Sequence, residues 1–235
     1  MAKNKTFKTV TRNGRRFNLL TLPDTNFFKF EIINNYGSDI ERVVKDKTGK
    51  KLYGISHFIE HLGFKSTKDF TTEELWSIGK NDGVFNASTG YDKISYWFKT
   101  TADNTDLAIK FVCNVALNDL TKINKEEFDT ERKVVYNESK RGQDDHQLMF
   151  YRNATRSLVG YESEDNVIGV PETIETFTLE DAIAVKNIFL TNNQSGYDIT
   201  YDNKVMSEDE VLNKVTRELS KFQAPNKGSL VITHE

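Results

Sequence analysis

The stretch Gly54–Thr67, GISHFIEHLGFKST, decides how the rest of this 235-residue chain is interpreted. It contains His57 and His61, which are four residues apart and so project from one face of a helix, one turn apart. Glu60 lies between them in sequence and can reach the same space. The order H-x-x-E-H is the inverse of the commoner zinc motif H-E-x-x-H. The stretch therefore predicts a helix that carries part of a metal site.

Two histidines at this spacing also occur by accident, so the five-residue pattern alone leaves the metal site open. The context favours it, because the chain has only 4 histidines and two of them lie in this stretch. A catalytic zinc ion typically has three protein ligands and an open position for water. A third ligand is therefore expected elsewhere in the chain.

The stretch 124–143, NKEEFDTERKVVYNESKRGQ, supplies a candidate for that ligand. It begins with an asparagine that can cap a helix and has two glutamates in its first turn, where the helix dipole favours negative charge. Glu131 and Glu138 are two turns apart on a stripe shared with Phe128 and Val135. A solvated acidic face is one interpretation. Because the apolar residues of the stripe should be buried, a carboxylate bound to a cation is the other.

Together the two stretches resemble the N-terminal, catalytic domain of the pitrilysin/insulinase family of zinc peptidases, which includes the mitochondrial processing peptidase. The family pattern is H-x-x-E-H followed, about 75 residues later, by the final glutamate of E-x-x-V-V-x-x-E. Here the second element is ERKVVYNE at 131–138, and Glu138 follows His61 by 77 residues. The resemblance implies one zinc ion per chain, with three ligands: His57, His61 and Glu138.

The same resemblance implies roles for two further carboxylates. Glu60 would be the general base that activates water, and Glu131 would orient a ligand histidine. Manganese or cobalt in place of zinc remains open, since a site of two histidines and one glutamate accepts several divalent ions.

The resemblance extends over nearly the whole chain. The residues around the motif match the family pattern G-x-x-H-F-x-E-H-x-x-F-K-G-T, except that Ser66 replaces the usual glycine. The stretch 167–189, VIGVPETIETFTLEDAIAVKNIF, resembles a later family region. A further segment matches the family's N-A-x-T, which implies an edge strand that pairs with the substrate backbone; its residues are Asn86, Ala87, Ser88 and Thr89.

Composition limits the alternatives. The chain is 37% hydrophobic and 29% charged, which is ordinary for a soluble globular protein, and its net charge of −3 gives no sign of a nucleic-acid partner. The one cysteine, Cys113, lies in an apolar helical run and suits a reducing compartment. The N-terminal stretch has no apolar core of a secretory signal, and no apolar run is long enough to span a membrane. We therefore expect a cytoplasmic protein without a membrane partner.

Local patterns predict the fold class. Asn13-Gly14 between two apolar runs indicates a hairpin, and a second hairpin is expected around the turn 89–92. We interpret Gly37–Lys51 as a polar loop and 230–233 as a closing strand. Strands and helices do not alternate strictly, which favours an α+β fold: a mostly antiparallel sheet with helices packed on one face, one domain over residues 1–235 and one half of a clamp.

Two functions follow from these observations. The first is a zinc-dependent metalloendopeptidase that acts on a peptide or an unfolded polypeptide. The second is a catalytically silent binding or scaffold subunit, a class that typically loses a ligand or the general base. All five motif residues are present, which favours the enzyme. Family members usually have two related domains, which leaves three readings: this chain pairs with itself, pairs with a second clamp-forming subunit, or is a fragment of a longer protein. We favour assembly as a homo-oligomer or with a second subunit.

Overall fold

The computed structural model describes residues 5–159, 166–189 and 195–222. The strands in these ranges form one sheet. In chain order they are β1 (Thr6–Arg12), β2 (Arg15–Thr21), β3 (Phe27–Asn34), β4 (Val84–Thr89), β5 (Ile94–Thr101) and β6 (Ser195–Tyr201).

The order of strands across the sheet is β1-β2-β6-β3-β5-β4. The pair β2–β6 is parallel and the other neighbouring pairs are antiparallel. Asn13 and Gly14 make the turn of the first hairpin with φ of 53° and 73°, the left-handed conformation that a two-residue turn requires. The mostly antiparallel sheet expected from the sequence is confirmed, with one parallel pair that local patterns do not show.

The helices lie between and after the strands. In chain order they are α1 (Ile55–Leu62), α2 (Thr72–Asn81), α3 (Thr105–Ala116), α4 (Lys125–Asp144), α5 (His146–Val159), α6 (Pro171–Ile174), α7 (Leu179–Phe189) and α8 (Glu208–Leu219).

The core has two parts. One face of the sheet packs against α3 and α8, and this part includes Phe30, Phe98 and Phe111, together with the buried thiol of Cys113. The second part joins α1, α4 and α7 around Phe58 and its neighbours. Side chains on β3 alternate between buried and half-buried, because successive residues of a strand point to opposite faces. The helices therefore cover one face of the sheet, as expected.

One expectation changes, one lies outside the described residues and one stays untested. The interpretation of Gly37–Lys51 as a loop is only partly right, since Ser38–Arg42 forms a 3-10 helix. The helix was missed because it is short and mostly polar, a composition that predicts an exposed loop. Glu41 within it is nevertheless fully buried. The strand expected at 230–233 lies outside the described residues. That the chain is one domain over 1–235 stays a prediction.

No helix within the described residues combines the length and the apolar character that a bilayer span requires.

Candidate active site

Helix α1 has its N-terminus fixed by backbone packing and by a buried carboxylate. Gly54 precedes the helix with φ of 92°, and a Cβ at this position would lie 2.7 Å from the Cα of Gly169. The side chain of Glu41 accepts hydrogen bonds from the backbone N–H groups of Gly54 (2.6 Å) and Ser56 (2.8 Å). A negative charge at this end of a helix satisfies free N–H groups and is favoured by the helix dipole. These contacts fix the position of the first turn of α1, and with it the backbone that carries the two histidines.

Helix α4 begins as the sequence predicts. Asn124 and Glu127 form a reciprocal capping box, and Phe128 and Val135 are buried against α1 and its neighbours. Near the other end, the hydroxyl of Ser139 donates a 2.9 Å hydrogen bond to the carbonyl of Gly169. Because Gly169 also touches the residue before α1, this bond fixes the part of α4 that carries the neighbouring glutamate.

These two helices bring the three predicted ligands together. The Nε2 atoms of His57 and His61 lie 4.0 Å and 3.5 Å from Oε2 of Glu138. The donor atoms of the three residues all lie within 4.8 Å of one another. The centroids of the two histidine rings are 4.7 Å apart, and the ring planes make an angle of 78°. Two ligands on one zinc ion, each bonded at about 2.1 Å, span at most about 4.2 Å, so small side-chain rotations suffice to bind the ion.

The chemistry of these donors fits a zinc ion. Two imidazoles and one carboxylate are one of the ligand sets found in catalytic zinc sites, which leave a position for water. The side chain of Glu138 is 40% exposed, so the site is open to solvent on this side. The Nδ1 atom of His57 is buried and has no hydrogen-bond partner within the described part of the chain. Both the donor types and their convergence are therefore what a zinc site requires.

His61 is held by a carboxylate on α4. Its Nδ1 lies 2.7 Å from Oε1 of Glu131, and Lys65 forms an ion pair with the other oxygen of Glu131. Burial alone would raise the pKa of Glu131, but the hydrogen bonds from His61 and Lys65 outweigh it and lower the pKa. An ionised Glu131 accepts a hydrogen bond from Nδ1–H of His61 and leaves Nε2 facing Glu138, which is how a carboxylate orients a ligand histidine.

The two histidines differ in their electrostatic surroundings. Burial lowers the pKa of His57 to about 3, with a further contribution from the neighbouring His61. Burial also acts to lower the pKa of His61, but the hydrogen bond with Glu131 and the nearby carboxylates outweigh it, and the net shift is upward. His57 is therefore a neutral imidazole at physiological pH, the form that binds a metal.

Glu60 lies on the same helix and faces β4. Its Oε2 accepts a 2.8 Å hydrogen bond from the hydroxyl of Thr89, the last residue of that strand. Burial raises the pKa of Glu60, and the Thr89 hydrogen bond and the charge of His61 only partly offset this. A raised pKa makes the carboxylate a stronger base, which favours proton uptake from water.

The predicted substrate segment is the second half of β4. In the described sheet β4 is at an edge and pairs with β5 alone, so its outer side is available to another strand. The side chains of Asn86 and Ser88 are exposed, and those of Ala87 and Thr89 are half-buried on the opposite face. The segment lies beside Glu60, and its assignment as a substrate strand stays a prediction.

The structure brings the two histidines and the three glutamates of the motif together, and of the predicted substrate segment it places Thr89 against Glu60. The roles of these residues as ligands, base and orienting carboxylate stay predictions. Three contacts were missed from the sequence: Lys65 on Glu131, Thr89 on Glu60, and Glu41 on the start of α1. Lys65 is four residues after His61, a spacing that could have pointed to a shared partner. The contact of Glu41 follows from the 3-10 helix, which no local pattern indicated.

A comparison with protein-family models identifies the family to which the chain belongs. The model described as insulinase, peptidase family M16, matches residues 47–169, which include α1, β4 and α4. The chain belongs to this family. The resemblance seen in the sequence is therefore confirmed.

Curated relatives of this M16 chain include zinc proteases. A Rickettsia bellii protein named an uncharacterized zinc protease is 29% identical over 171 residues, which are 71% of this chain and 39% of the relative. The zinc protease PqqE of Helicobacter pylori is 30% identical over 162 residues, 67% of this chain and 34% of that protein. This chain therefore spans well under half the length of these relatives.

Solved M16-like structures share the fold. A protease from Helicobacter pylori has a TM-score of 0.78 at 24% identity, over 98% of this chain and 53% of that one. The first half of the periplasmic protease PqqL from Escherichia coli has a TM-score of 0.76 at 19% identity, over 95% of this chain and 47% of that one. At these identities the likeness concerns the fold, and it confirms the α+β architecture of half an M16 protease.

Proposed function

We propose that this M16 chain is the catalytic half of a zinc-dependent endopeptidase. The observation that supports this best is the convergence of His57, His61 and Glu138 beside the half-buried Glu60. The curated relatives named as zinc proteases support the choice of metal. When bound, a zinc ion at such a site acts as a Lewis acid and favours the ionisation of water near neutral pH.

The residues around the three ligands would each have a separate role in proton transfer or in holding a ligand. Oε2 of Glu60 is occupied by the Thr89 hydroxyl, which leaves Oε1 to accept a proton from the attacking water and pass it to the leaving nitrogen. Glu131, paired with Lys65, would keep the proton of His61 on Nδ1. His57 would remain neutral, because desolvation lowers its pKa to about 3. Each group then has one protonation state before the reaction begins.

The substrate would bind as an added strand. An extended peptide can pair with the outer side of β4 through main-chain hydrogen bonds, which gives affinity with weak dependence on sequence. The segment Asn86–Thr89 ends next to Glu60, so a peptide along it would pass the three ligands. The substrate class that fits is a peptide or an unfolded polypeptide, because a folded chain seldom offers a free strand.

A partner would complete the clamp. This chain covers about half of two M16-like structures, and one of these is titled as the first half of its protease. Another neighbour, the ferredoxin protease FusC, was solved in complex with Arabidopsis ferredoxin, and this chain covers 24% of it. We infer that the other half is supplied by a second copy of this chain, by a separate subunit or by a further part of a longer chain.

The test combines metal content, native mass and peptide cleavage. The chain purified without added metal or chelator should contain about one zinc ion per chain, and Glu138→Ala should lose it. Light scattering should show an assembly larger than one chain. Glu60→Gln should keep zinc and lose cleavage of an unstructured fluorogenic peptide by about 100-fold or more.

The matched control is Glu73→Gln, the same change at an exposed position in the first turn of α2. It should cleave like the unchanged chain. Normal cleavage by Glu60→Gln would refute the proposed general base. Bound zinc without cleavage, in an assembly of the expected size, would instead point to the silent subunit.

A further inference from the structure

Thr89 belongs to the segment predicted to pair with the substrate backbone, and its side chain points to Glu60. Side chains on β4 alternate between the two faces of the sheet, and Thr89 shares the half-buried face with Ala87. On the other face, Ser88 forms a 3.0 Å hydrogen bond with Ser95 of β5. The Thr89 hydroxyl donates to Oε2 of Glu60 at 2.8 Å. This residue therefore joins the edge strand to the candidate base.

This bond fixes the carboxylate. Among the described residues, Thr89 is the hydrogen-bond donor that the structure gives Glu60. The Glu60 side chain has three rotatable bonds, and a single directional bond to one oxygen restricts the plane of the carboxylate and directs the other oxygen. A general base works only within hydrogen-bond reach of the proton that it takes. The orientation of Glu60 thus depends on where β4 ends.

The end of β4 is in turn tied to the start of α1. The N–H groups of Ser38 and Asp39 donate to the carbonyls of Gly90 (3.1 Å) and Tyr91 (2.9 Å), directly after Thr89. Two residues further on, the carboxylate of Glu41 receives the N–H groups that open α1. The short segment 37–41 therefore connects the turn after β4 to the helix that carries Glu60.

The packing at this connection leaves little room for movement. A Cβ on Gly37 would lie 2.2 Å from the carbonyl oxygen of Gly90, so the two backbones are in direct contact. The hydroxyl of Ser56 in α1 also donates a 3.0 Å hydrogen bond to the carbonyl of Gly37. Helix α1 therefore contacts segment 37–41, and segment 37–41 contacts the turn after β4. The bond between Thr89 and Glu60 links the end of β4 directly back to α1.

We propose that Thr89 is a positioning residue, which acts through Glu60 and not through contact with the substrate. The expected loss of kcat rests on the proposed peptidase function. The expected movement of the Glu60 carboxylate rests on the hydrogen bond alone. The main chain of Thr89 would still pair with a peptide on β4. One residue would thereby align both the substrate strand and the base.

The test uses two substitutions of Thr89. Thr89→Val keeps the branched shape and removes the donor, whereas Thr89→Ser keeps the donor. In the zinc-loaded chain, Thr89→Val should lower kcat by about 10- to 100-fold, with zinc content unchanged and KM within about twofold. Thr89→Ser should restore kcat to within about threefold of the unchanged chain. A KM effect in Thr89→Val at constant kcat would overturn the proposal and assign Thr89 to substrate contact.

The matched control is Thr9→Val, the same change on the exposed opposite edge strand, where the hydroxyl donates to Asn18. It should leave kcat and KM unchanged. A second readout does not need activity: in crystal structures of the zinc-loaded proteins, the Glu60 carboxylate should leave its position in Thr89→Val and keep it in Thr89→Ser. An unmoved carboxylate in Thr89→Val would refute the proposal. If the unchanged chain cleaves no peptide, the proposed function fails while this structural readout still decides the role of Thr89.

Discussion

Gly54 and Gly169 pack backbone against backbone at the start of the helix that carries the two histidines. Both have positive φ, 92° and 78°, and a Cβ on Gly169 would lie 2.5 Å from the Cα of Gly54. The hydroxyl of Thr173 adds a 2.8 Å hydrogen bond to the carbonyl of Tyr53. This contact joins parts of the chain that are more than one hundred residues apart, and it places α4 beside α1.

Gly54→Ala should therefore be strongly destabilising. The new Cβ is strained by the positive φ and also overlaps Gly169, so we expect a loss of about 2–5 kcal/mol in the free energy of unfolding, measured by urea denaturation. Gly49→Ala is the matched control, since Gly49 has φ of 86° with no atom within 4 Å of a Cβ. It should cost about 1–2 kcal/mol. Equal losses in the two variants would mean that the contact with Gly169 contributes nothing.

Glu131→Gln should weaken zinc binding without unfolding the chain. The amide keeps the shape but loses the charge that holds the proton of His61 on Nδ1 and that pairs with Lys65. We expect zinc affinity to fall about 10- to 100-fold, measured by competition with a chromogenic chelator. Glu126→Gln, at an exposed position in the first turn of the same helix, should bind zinc normally. Unchanged affinity in Glu131→Gln would remove the orienting role.

Lys186 on α7 should make stability depend on alkaline pH. Its side chain is fully buried, its Nζ donates to the carbonyl of Ala116 at 3.1 Å, and burial lowers its pKa from 10.5 to about 7. Between these values the unfolded chain binds a proton that the folded chain does not, so this group makes stability rise as pH increases from about 7 to 10.5.

The measurement is urea denaturation at several pH values in that window. Lys186→Met removes the titrating group, so the stability of the unchanged chain should gain about 3–5 kcal/mol relative to this variant between neutral pH and pH 10. Lys122→Met, at an exposed position, should follow the unchanged chain. A constant difference between Lys186→Met and the unchanged chain would show that Lys186 keeps its proton when buried.

Glu41→Gln should destabilise the start of α1. The carboxylate is fully buried and each of its oxygens accepts a backbone N–H, so the NH2 group of the amide would face an N–H donor. We expect a loss of about 2–3 kcal/mol in thermal or urea unfolding. Glu74→Gln changes an exposed acceptor in the capping box of α2 and should cost less than about 1 kcal/mol. Similar costs would show that burial adds nothing at Glu41.

Local patterns predicted those parts of the structure that depend on neighbouring residues. The turn at Asn13-Gly14, the cap at Asn124 and the alternation on β3 all have causes within a few residues, and the structure has each of them. The metal motif on α1 and the second glutamate on α4 were found because each lies at helical spacing within its own stretch.

The rest depends on contacts between distant residues. The parallel pair β2–β6 joins residues about 180 positions apart, and no local pattern sets that pairing. A buried glutamate such as Glu41 is unexpected because its polar surroundings in sequence predict exposure. The bond from Thr89 to Glu60 likewise appears only when β4 is placed beside α1.

The position of β6 has a consequence for the order in which the molecule can assemble. The strands β2 and β3 follow each other in sequence, yet β6 lies between them in the sheet. During synthesis, the hairpin β1–β2 and the group β3, β5 and β4 cannot join into one sheet until residue 201, the end of β6, has left the ribosome. We expect a chain truncated after Phe189 to be cut rapidly by trypsin at the hairpin. Both helices that carry the predicted zinc ligands precede β6 in sequence, so the complete ligand set is synthesised before the last strand of the sheet.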